Sequence, residues 1–565
     1  MKVSAIQIEQ RPGDPDVNMA TAMAYLSRAL EDGSSLIVLP ELFKTGYLHR
    51  DRRDALSFAE FVTGETTAEI ISHLRGKSAK VVFGMIESDT STGLLYNSAV
   101  VVDEDGIVGC YRKSHLYVAD SLWASSGGMA PFDFEVDGYR VRVVICADIE
   151  FPEVAYTRVT PPVDIICLPT AWVDEKAPSM NWWARAIESG ASLICADLAG
   201  VEEGVQFSGG SSIISPNGSI LATIDSGSGL ISADLEVGTH PFRKIEQRLF
   251  LGSETFSRGE LKVRALKPTP KSDDIEVELL IVDTQRDVES ESWLKAVADS
   301  ESFQDAQDLR SVGIVAAIGS DLEESVEAVI TSLAASDVGL SSEPGGVLSN
   351  PNESGIGRGS RIIAVTEVES DGHRGVGIFQ DNQWVKVACG EVRELRFEQS
   401  DIDDQIHRET LLLAVGVVDA RNFNEFIETR VVALEGADLI FLVGKESELV
   451  PLTTRPSSNI DLPPYENWGP QTYNFSIVRQ RAGENSTPIV ALLRNDIGVS
   501  QFEGASQRQS GVFGGDYWTF PYQESIFGRE STSVNGALEY IRHRLRLEVE
   551  KGYMRRRHPE LYGLL

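Results

Sequence analysis

Basic residues are scarce in this chain. Fifty-one lysines and arginines stand against 85 aspartates and glutamates, a formal net charge of −34. A surface of that sign repels nucleic acid and anionic membranes, which excludes both as partners. A high-salt cytoplasm and drift in a GC-rich genome account for such a composition equally well. Long apolar runs are missing as well: none approaches the ~20 residues of a membrane-spanning helix. The opening MKVSAIQIEQ has no apolar run behind a basic end, so a cytoplasmic protein without a signal peptide is expected. Cysteines number only five. With Cys167 and Cys195 inside the apolar runs DIICLP and SLICAD, they read as reduced thiols in strands, with neither a disulfide framework nor a metal cluster implied. A P-loop, GxxxxGK followed by Ser or Thr, is nowhere to be found, which leaves no ATP site.

What is present is a globular composition, 42 % hydrophobic, in 565 residues, too long for one ordinary core and enough for two to four domains. The stretch Val141 to Glu153, VRVVICADIEFPE, is a buried strand that stops on Cys146. A strand-to-turn junction holds a side chain at the rim of a sheet and frees the next backbone N–H, here that of Ala147, so one turn supplies a nucleophile and an oxyanion donor. Taken alone, the thiol is equally a packed core residue. Upstream, KVSAIQIEQ alternates like a half-buried strand and leads into a helix from about Val17 to Glu31. In SLIVLPELF the strand Ser35 to Leu39 is stopped by Pro40, which leaves Glu41 at a strand end, where a carboxylate is costly without a partner or a task. Thr45-Gly46-Tyr47 is a turn that brings an aromatic to the same rim. LYNSAVVVDEDGIVGCYRKSHL is a hairpin turning at Asp105-Gly106 and closed by Lys113, which by itself reads as a solvated strand end.

Glu41 in LPELF, Lys113 in YRKSHL and Cys146 in VVICADIEFPE, each at a strand terminus and in that order, resemble the nitrilase superfamily of carbon–nitrogen hydrolases. The resemblance continues through Asn97 in YNSAVV, Asp164 to Trp172 in DIICLPTAW, Arg185 to Glu188 in ARAIES and Phe207 to Ala222. It spans roughly residues 1 to 240. It implies an α/β fold, a four-layer αββα sandwich, and a reaction in which the Cys146 thiolate attacks an amide carbon. Glu41 takes and returns the proton, while Lys113 and the Ala147 N–H stabilise the tetrahedral oxyanion, with a thioester intermediate and no cofactor or metal. Members often carry a second glutamate seven residues after the lysine. Asp120 stands in that place, one methylene shorter, to orient the lysine or polarise the substrate. Nitrile-cleaving members usually have Trp-Glu after the cysteine, whereas Ala147-Asp148 and the ending FPE look like the amidase and carbamoylase branches. A small amide or carbamoyl compound is therefore the expected substrate, with a nitrile as the alternative. Glu150, where branches acting on acidic substrates place arginine, suits a neutral or amine-bearing one, and Tyr47 and Trp172 are pocket walls or ordinary core aromatics. A cysteine–histidine arrangement would draw on His49, His73 or His115, none with an Asn or Asp partner set that the sequence marks out, and His115 reads as structural. A binding or scaffold protein with both halves inert is the rival of another class.

From Thr255 to Asp274 periodicity is lost and LKPTPKSDD carries two prolines, which places a linker at 257–274 between a catalytic domain, 1–256, and a second domain, 275–565. The second is a faded copy: IEVELLIVDTQ echoes KVSAIQIEQ, RIIAVTEVESDG echoes KVVFGMIESDT, LLLAVGVVDARNFNEF echoes YRVRVVICADIEFPEV, GADLIFLVG echoes VDIICLPTA, and Asn467-Trp468 echoes Asn181-Trp182. Placing Phe423 on Phe151 puts Val418 at the cysteine position. Gly390 falls near the lysine and Gly319 or Ser320 near the glutamate, so the triad is lost. Family domains dimerise through their helices; a tandem pair makes an intrachain pseudo-dimer in which the inert half braces the active one, with further homo-oligomers open. The basic run Arg542 to Arg557 reads as a solvated helix end or a strap across the acidic first domain.

Overall fold

The computed structural model describes residues 1–236, apart from 129–131, 156–162 and 174–176, and beyond them a set of strands and short segments between 275 and 547. These fall into two compact units, one formed by the residues up to 236 and one built on the strands from Ile275 onward. The expected linker, Gly319, Ser320 and Asn467-Trp468 lie outside the described residues. No helix among the described residues is long and apolar enough to cross a membrane.

The first unit runs β1 (Lys2–Glu9), α1 (Pro15–Glu31), β2 (Leu36–Val38), α2 (Arg52–Leu56), α3 (Glu65–Leu74), β3 (Lys80–Ser88), β4 (Leu95–Asp103), β5 (Gly106–Arg112), β6 (Phe132–Val136) and β7 (Tyr139–Val143). It continues through α4 (Pro152–Ala155), β8 (Ile165–Thr170), α5 (Met180–Ser189), β9 (Ser192–Glu202), β10 (Val205–Ser208), β11 (Ser211–Ile214), β12 (Ile220–Ile224) and β13 (Gly229–Asp234). Helix α1 starts two residues before the expected Val17 because Asp14 caps it: its carboxylate accepts the Val17 N–H, and Pro15 occupies the first turn, where a missing N–H costs nothing.

Pairing orders the strands into β5-β4-β3-β2-β1-β13 and β6-β7-β8-β9-β11-β12, with β2 parallel to β1 and β3, and β8 parallel to β7 and β9. A short ladder between β1 and β9, Ile8 with Leu198 and Glu9 with Ala199, joins the two into a nearly closed sheet. Met19, Met23 and Leu26 of α1 and Ile70 and Leu74 of α3 pack on Ile6, Ile8, Ile37, Val81 and Phe83 of the first sheet. Its strands β2 and β3 meet β8, while α5 lies against β9 and β11. Helices therefore cover the outside of two facing sheets. This layering overturns the half-buried reading of β1: every residue from Val3 to Ile8 is buried, because one face meets α1 and the other the second sheet. Its polar side chains are accordingly satisfied, Ser4 by the Ser34 and Ser232 hydroxyls at 2.6 and 2.7 Å and Gln7 by the Gly227 carbonyl at 3.0 Å.

In the second unit the described strands are β14 (Ile275–Asp283), β15 (Ser311–Ile318), β16 (Ile362–Ser370), β17 (His373–Gln380), β18 (Gln383–Ala388), β19 (Val392–Glu398), β20 (Thr410–Asp419), β21 (Leu439–Lys445), β22 (Ile489–Arg494), β23 (Gly511–Phe513), β24 (Ile526–Val534) and β25 (Leu538–Leu547). They pair as β18-β17-β16-β15-β14-β25-β24 and β19-β20-β21-β22-β23. Arg542, Arg544 and Arg546 lie in β25, between β14 and β24, so the first part of the basic run is a strand and not a helix end.

Two sets of contacts in this unit have counterparts in the first. The Asp438 N–H donates to Ala414 O, and its carboxylate accepts the Ala414 N–H, both at 2.8 Å; Asp164 holds Arg140 in the same double bond in the first unit. Ala420 stands six residues after Ala414, as Cys146 stands six after Arg140. Likewise the Cys389 N–H donates to Arg374 O at 3.1 Å as the Lys113 N–H donates to Asn97 O at 2.8 Å.

Candidate active site

Three strand ends converge in the first unit. Strand β2 stops ahead of Pro40, and the chain turns sharply through Glu41 and Leu42, the latter in the left-handed region at φ 46°. Gly84 of β3 makes the turn possible. A Cβ there would lie 2.6 Å from both Glu41 Cα and Leu42 N, and the Gly84 N–H donates to Pro40 O at 3.2 Å. Lys113 is one residue beyond β5, held by its N–H to Asn97 O and by the Gly127 N–H to its own carbonyl, both at 2.8 Å. Cys146 opens a single 3₁₀ turn, Cys146–Glu150, three residues past β7, with φ at 44°. A non-glycine residue held there is strained, and such strain is kept where surroundings enforce it. Asp148 is what enforces it: buried inside the turn, it accepts the Ile145 N–H at 3.1 Å, the His115 N–H and Nδ1–H at 2.9 Å and the Tyr111 hydroxyl at 3.0 Å. His115, stacked on Phe151, is thereby a support of the cysteine turn.

Lys113 Nζ lies 2.8 Å from Glu41 Oε1 and 2.5 Å from Asp120 Oδ2, all three side chains fully buried. Asn97 Nδ2 bridges the same carboxylates, at 2.7 Å from Glu41 Oε1 and 3.0 Å from Asp120 Oδ1, and the Tyr117 N–H completes Asp120 at 2.9 Å. The shorter aspartate therefore reaches the lysine. Glu41 Oε2 has no hydrogen-bond partner among the described residues. Burial raises Glu41 above the usual carboxylate range against the pull of Lys113, with the Asp120 charge adding to the rise. Burial alone would strip the proton from Lys113, but Asp120 and Glu41 outweigh it and hold the ammonium well above its ordinary value. The Cys146 thiol is pushed well up by burial and by Glu41; Lys113, the Thr170 hydroxyl and the Ala171 N–H act in the opposite direction. The resting site is thus thiol, ammonium and a carboxylate primed to accept a proton.

The other expected residues divide. Tyr47 is buried with its ring centre 5.8 Å from Lys113 Nζ and its hydroxyl unpartnered among the described residues. Its turn is clamped by Glu202, which accepts the Tyr47 and Leu48 N–H groups at 2.9 and 3.2 Å. Ala147 follows the nucleophile at the start of the 3₁₀ turn, where N–H groups lack intrahelical acceptors. Trp172 is buried against Trp182, with its N–H on Asp197. Glu150 closes the cysteine turn as a buried, already engaged side chain. Asn97 as a bridge, Thr170 and Ala171 beside the sulfur, and Asp148 and Glu202 as clamps escape sequence reasoning because each acts across strands far apart in the chain. Among the described residues no group of His, Cys, Asp and Glu is placed to hold a metal ion.

The carbon-nitrogen hydrolase family model matches residues 2–241. The chain is 35 % identical over 223 residues to a nitrilase of Pyrococcus abyssi, covering 39 % of this chain and 84 % of the relative. It is 28 % identical over 224 residues to an (R)-stereoselective amidase of a Pseudomonas species, covering 39 % and 80 %. The crystal structure of an amidase from a Nesterenkonia species overlaps 43 % of this chain and 93 % of its own at 24 % identity, with a TM-score of 0.38. The match over the first unit and the likeness to the Pyrococcus protein make this chain a member of the carbon–nitrogen hydrolase family of the nitrilase superfamily.

Proposed function

We propose that the first unit is an amidohydrolase that cleaves a small amide or carbamoyl compound through a thioester on Cys146. The observation that carries this reading is the buried Glu41–Lys113 pair with Glu41 Oε2 left over, acting on a thiol held in a strained turn. Glu41 Oε2 takes the Cys146 proton as sulfur attacks the acyl carbon. The negative oxygen is stabilised by Lys113 and the Ala147 N–H. Glu41 then returns the proton to the departing nitrogen, and ammonia or an amine leaves. Water, deprotonated by Glu41, attacks the thioester, and the carboxylic acid departs as the proton goes back to sulfur. Asp120 and Asn97 hold the lysine and the glutamate in place, and Tyr47 walls the acyl group.

A relative named a nitrilase favours a nitrile as the second reading. Ammonia release from matched amides, ureas, carbamoyl compounds and nitriles decides between them, together with trapping of the acyl enzyme by hydroxylamine as a hydroxamate. Turnover of amides that is abolished in Cys146→Ala supports the proposal; turnover of nitriles alone supports the second reading; no turnover and no labelling of Cys146 by an electrophile returns the chain to a scaffold role. Preference for anionic amides would overturn the neutral or amine-bearing class taken from Glu150.

The second unit we read as an inert tandem copy. Its support is the strand order β18-β17-β16-β15-β14-β25 beside β5-β4-β3-β2-β1-β13, and β19-β20-β21-β22-β23 beside β6-β7-β8-β9-β11. Where the first unit has Asn97, it has Arg374, which pairs with Glu448 and Asp419, and Asp419 is also held by Arg421. Ion pairs thus occupy the end of β20, where the first unit keeps the Cys146 turn. Residues 1–256 expressed alone with full activity would reject a bracing role for this unit.

A further inference from the structure

Beyond the lysine and its two carboxylates, the Cys146 sulfur has a second support. At the end of β8 the chain turns through Thr170, Ala171 and Trp172, with the Thr170 hydroxyl and the Ala171 N–H facing the sulfur and favouring its thiolate. The turn is anchored from β9. The Trp172 N–H donates to Asp197 Oδ1 at 2.8 Å, and Trp172 O accepts the Ser208 N–H at 2.8 Å. Asp197 sits opposite Thr170 in the β8–β9 ladder, fully buried, with its own N–H on Ser211 Oγ at 2.8 Å. The Ser211 N–H is held in turn by Gln7 Oε1 at 2.9 Å. Asp197 Oδ2 is without a hydrogen-bond partner among the described residues, and so is Thr170 Oγ1, which at the end of β8, packed on the Cys146–Glu150 turn, is left uncommitted for the sulfur once it ionises. Burying a carboxyl with one oxygen unmatched is costly, and a packing role alone would be filled more cheaply by an apolar side chain.

We infer that Asp197 is a positioning residue for the nucleophile: by anchoring the Trp172 N–H it fixes the Thr170–Ala171 turn against the Cys146 sulfur and thereby sets how readily that thiol ionises. The inference rests on Cys146 being the nucleophile. Asp197 does its work as a neutral acid, since burial, with the Glu41 charge adding to it, holds its carboxyl well above the usual carboxylate range. An anion at this place would repel both Glu41 and the forming thiolate. Asparagine keeps the shape, the acceptor and the neutrality; alanine removes the anchor. The other groups acting on or beside the thiol are Glu41 from the end of β2, Lys113 beyond β5, Tyr47, and Cys195 of β9.

The test is the rate of Cys146 alkylation by iodoacetamide as a function of pH in the full-length chain, read on the Cys146 peptide by mass spectrometry. Asp197→Asn should reproduce the wild-type midpoint. Asp197→Ala should raise it and slow alkylation at neutral pH about five- to tenfold, the scale of one ordinary hydrogen bond. Thr170→Val, which removes the hydroxyl at the other end of the turn and leaves Asp197 alone, should shift the midpoint the same way. A purely structural role for Asp197 would lower the melting temperature and leave the midpoint where it is. A wild-type midpoint in Asp197→Ala, or an equal shift in Asp197→Asn, overturns the inference; should Asp197→Ala not fold, an unmoved midpoint in Thr170→Val does so. Wild-type protein that releases ammonia with Cys146 unmodified at every pH removes the nucleophile reading itself and the inference with it.

Discussion

Replacing Gly84 by alanine tests whether the position of Glu41 is set by the closeness of β3. The added methyl would meet Glu41 Cα and Leu42 N at 2.6 Å and Pro40 O at 2.9 Å, all backbone atoms with no rotamer to retreat into. Ordinary van der Waals contact begins at 3.4 Å, so the Pro40–Leu42 turn must move away by about 0.8 Å. Strand β3 is held against yielding instead, because it is paired with β4 from Val81 to Ser88 and with β2 from Lys80 to Val82. A displacement of that size moves the glutamate off the lysine and the thiol, and misplacing a reacting group by about 1 Å costs on the order of 100-fold in rate. The methyl adds overpacking strain of about 1–3 kcal/mol. The expected result for Gly84→Ala is a folded protein, weakened in urea by that amount, with kcat for amide hydrolysis reduced about 30- to 100-fold and KM moved far less. A variant within about threefold of wild-type kcat would refute the idea that this contact places the base.

Glu41 is raised above the usual carboxylate range and works deprotonated, so the acid limb of kcat/KM should lie above that range; a limb within it would contradict the assignment. Because Asp120 contributes to that rise, Asp120→Asn should move the limb to lower pH while lowering kcat, since Lys113 loses one of its two carboxylates; a limb moving upward would show that Asp120 acts otherwise. Asp120→Ala, which also takes away the carboxylate that accepts the Tyr117 N–H and one of the two acceptors of Asn97 Nδ2, should cost about 3–5 kcal/mol of stability by chemical denaturation, as breaking a buried pair does. Tyr47→Phe should raise KM for small amides and leave hydroxamate trapping intact, whereas an unchanged KM would make the phenol a bystander.

The catalytic strand ends were legible because the signals are local. Pro40 ends one strand, the acidic residues after Cys146 end another, and the hairpin fixes Lys113. What could not be read depends on partners that only the sheets bring together. Asp148 looked like a marker of substrate class, but its oxygens are spent on His115, Tyr111 and Ile145. Alternation in β1 suggested a wet face, yet a strand flanked by a helix on one side and a sheet on the other buries both, and its serine and glutamine find partners 30 to more than 200 residues away. In the second unit the phenylalanines were the visible landmark, while the double bond that Asp164 and Asp438 each make to the neighbouring strand shows only once the sheets are formed.

The buried charges also decide which group can carry the proton. Two carboxylates around one ammonium leave the cluster negative, and in a low-dielectric site that excess holds Lys113 protonated throughout the cycle. In the proposed reaction Lys113 is therefore a fixed positive charge for the oxyanion and not a shuttle. Burial, with the Glu41 charge adding to it, makes a free thiolate expensive, which is why Cys146 rests as a thiol. Ionisation of the sulfur must then coincide with transfer to Glu41, the one group in the cluster that is both unprotected on one oxygen and raised toward a proton. With Glu41→Gln the acceptor is gone while shape and the Asn97 and Lys113 contacts can persist, so the variant should bind amide but fail to form the thioester, giving no hydroxamate with hydroxylamine present. Hydroxamate formed by Glu41→Gln at near wild-type rate would mean that the proton leaves by another route and that the cluster serves only to hold the lysine.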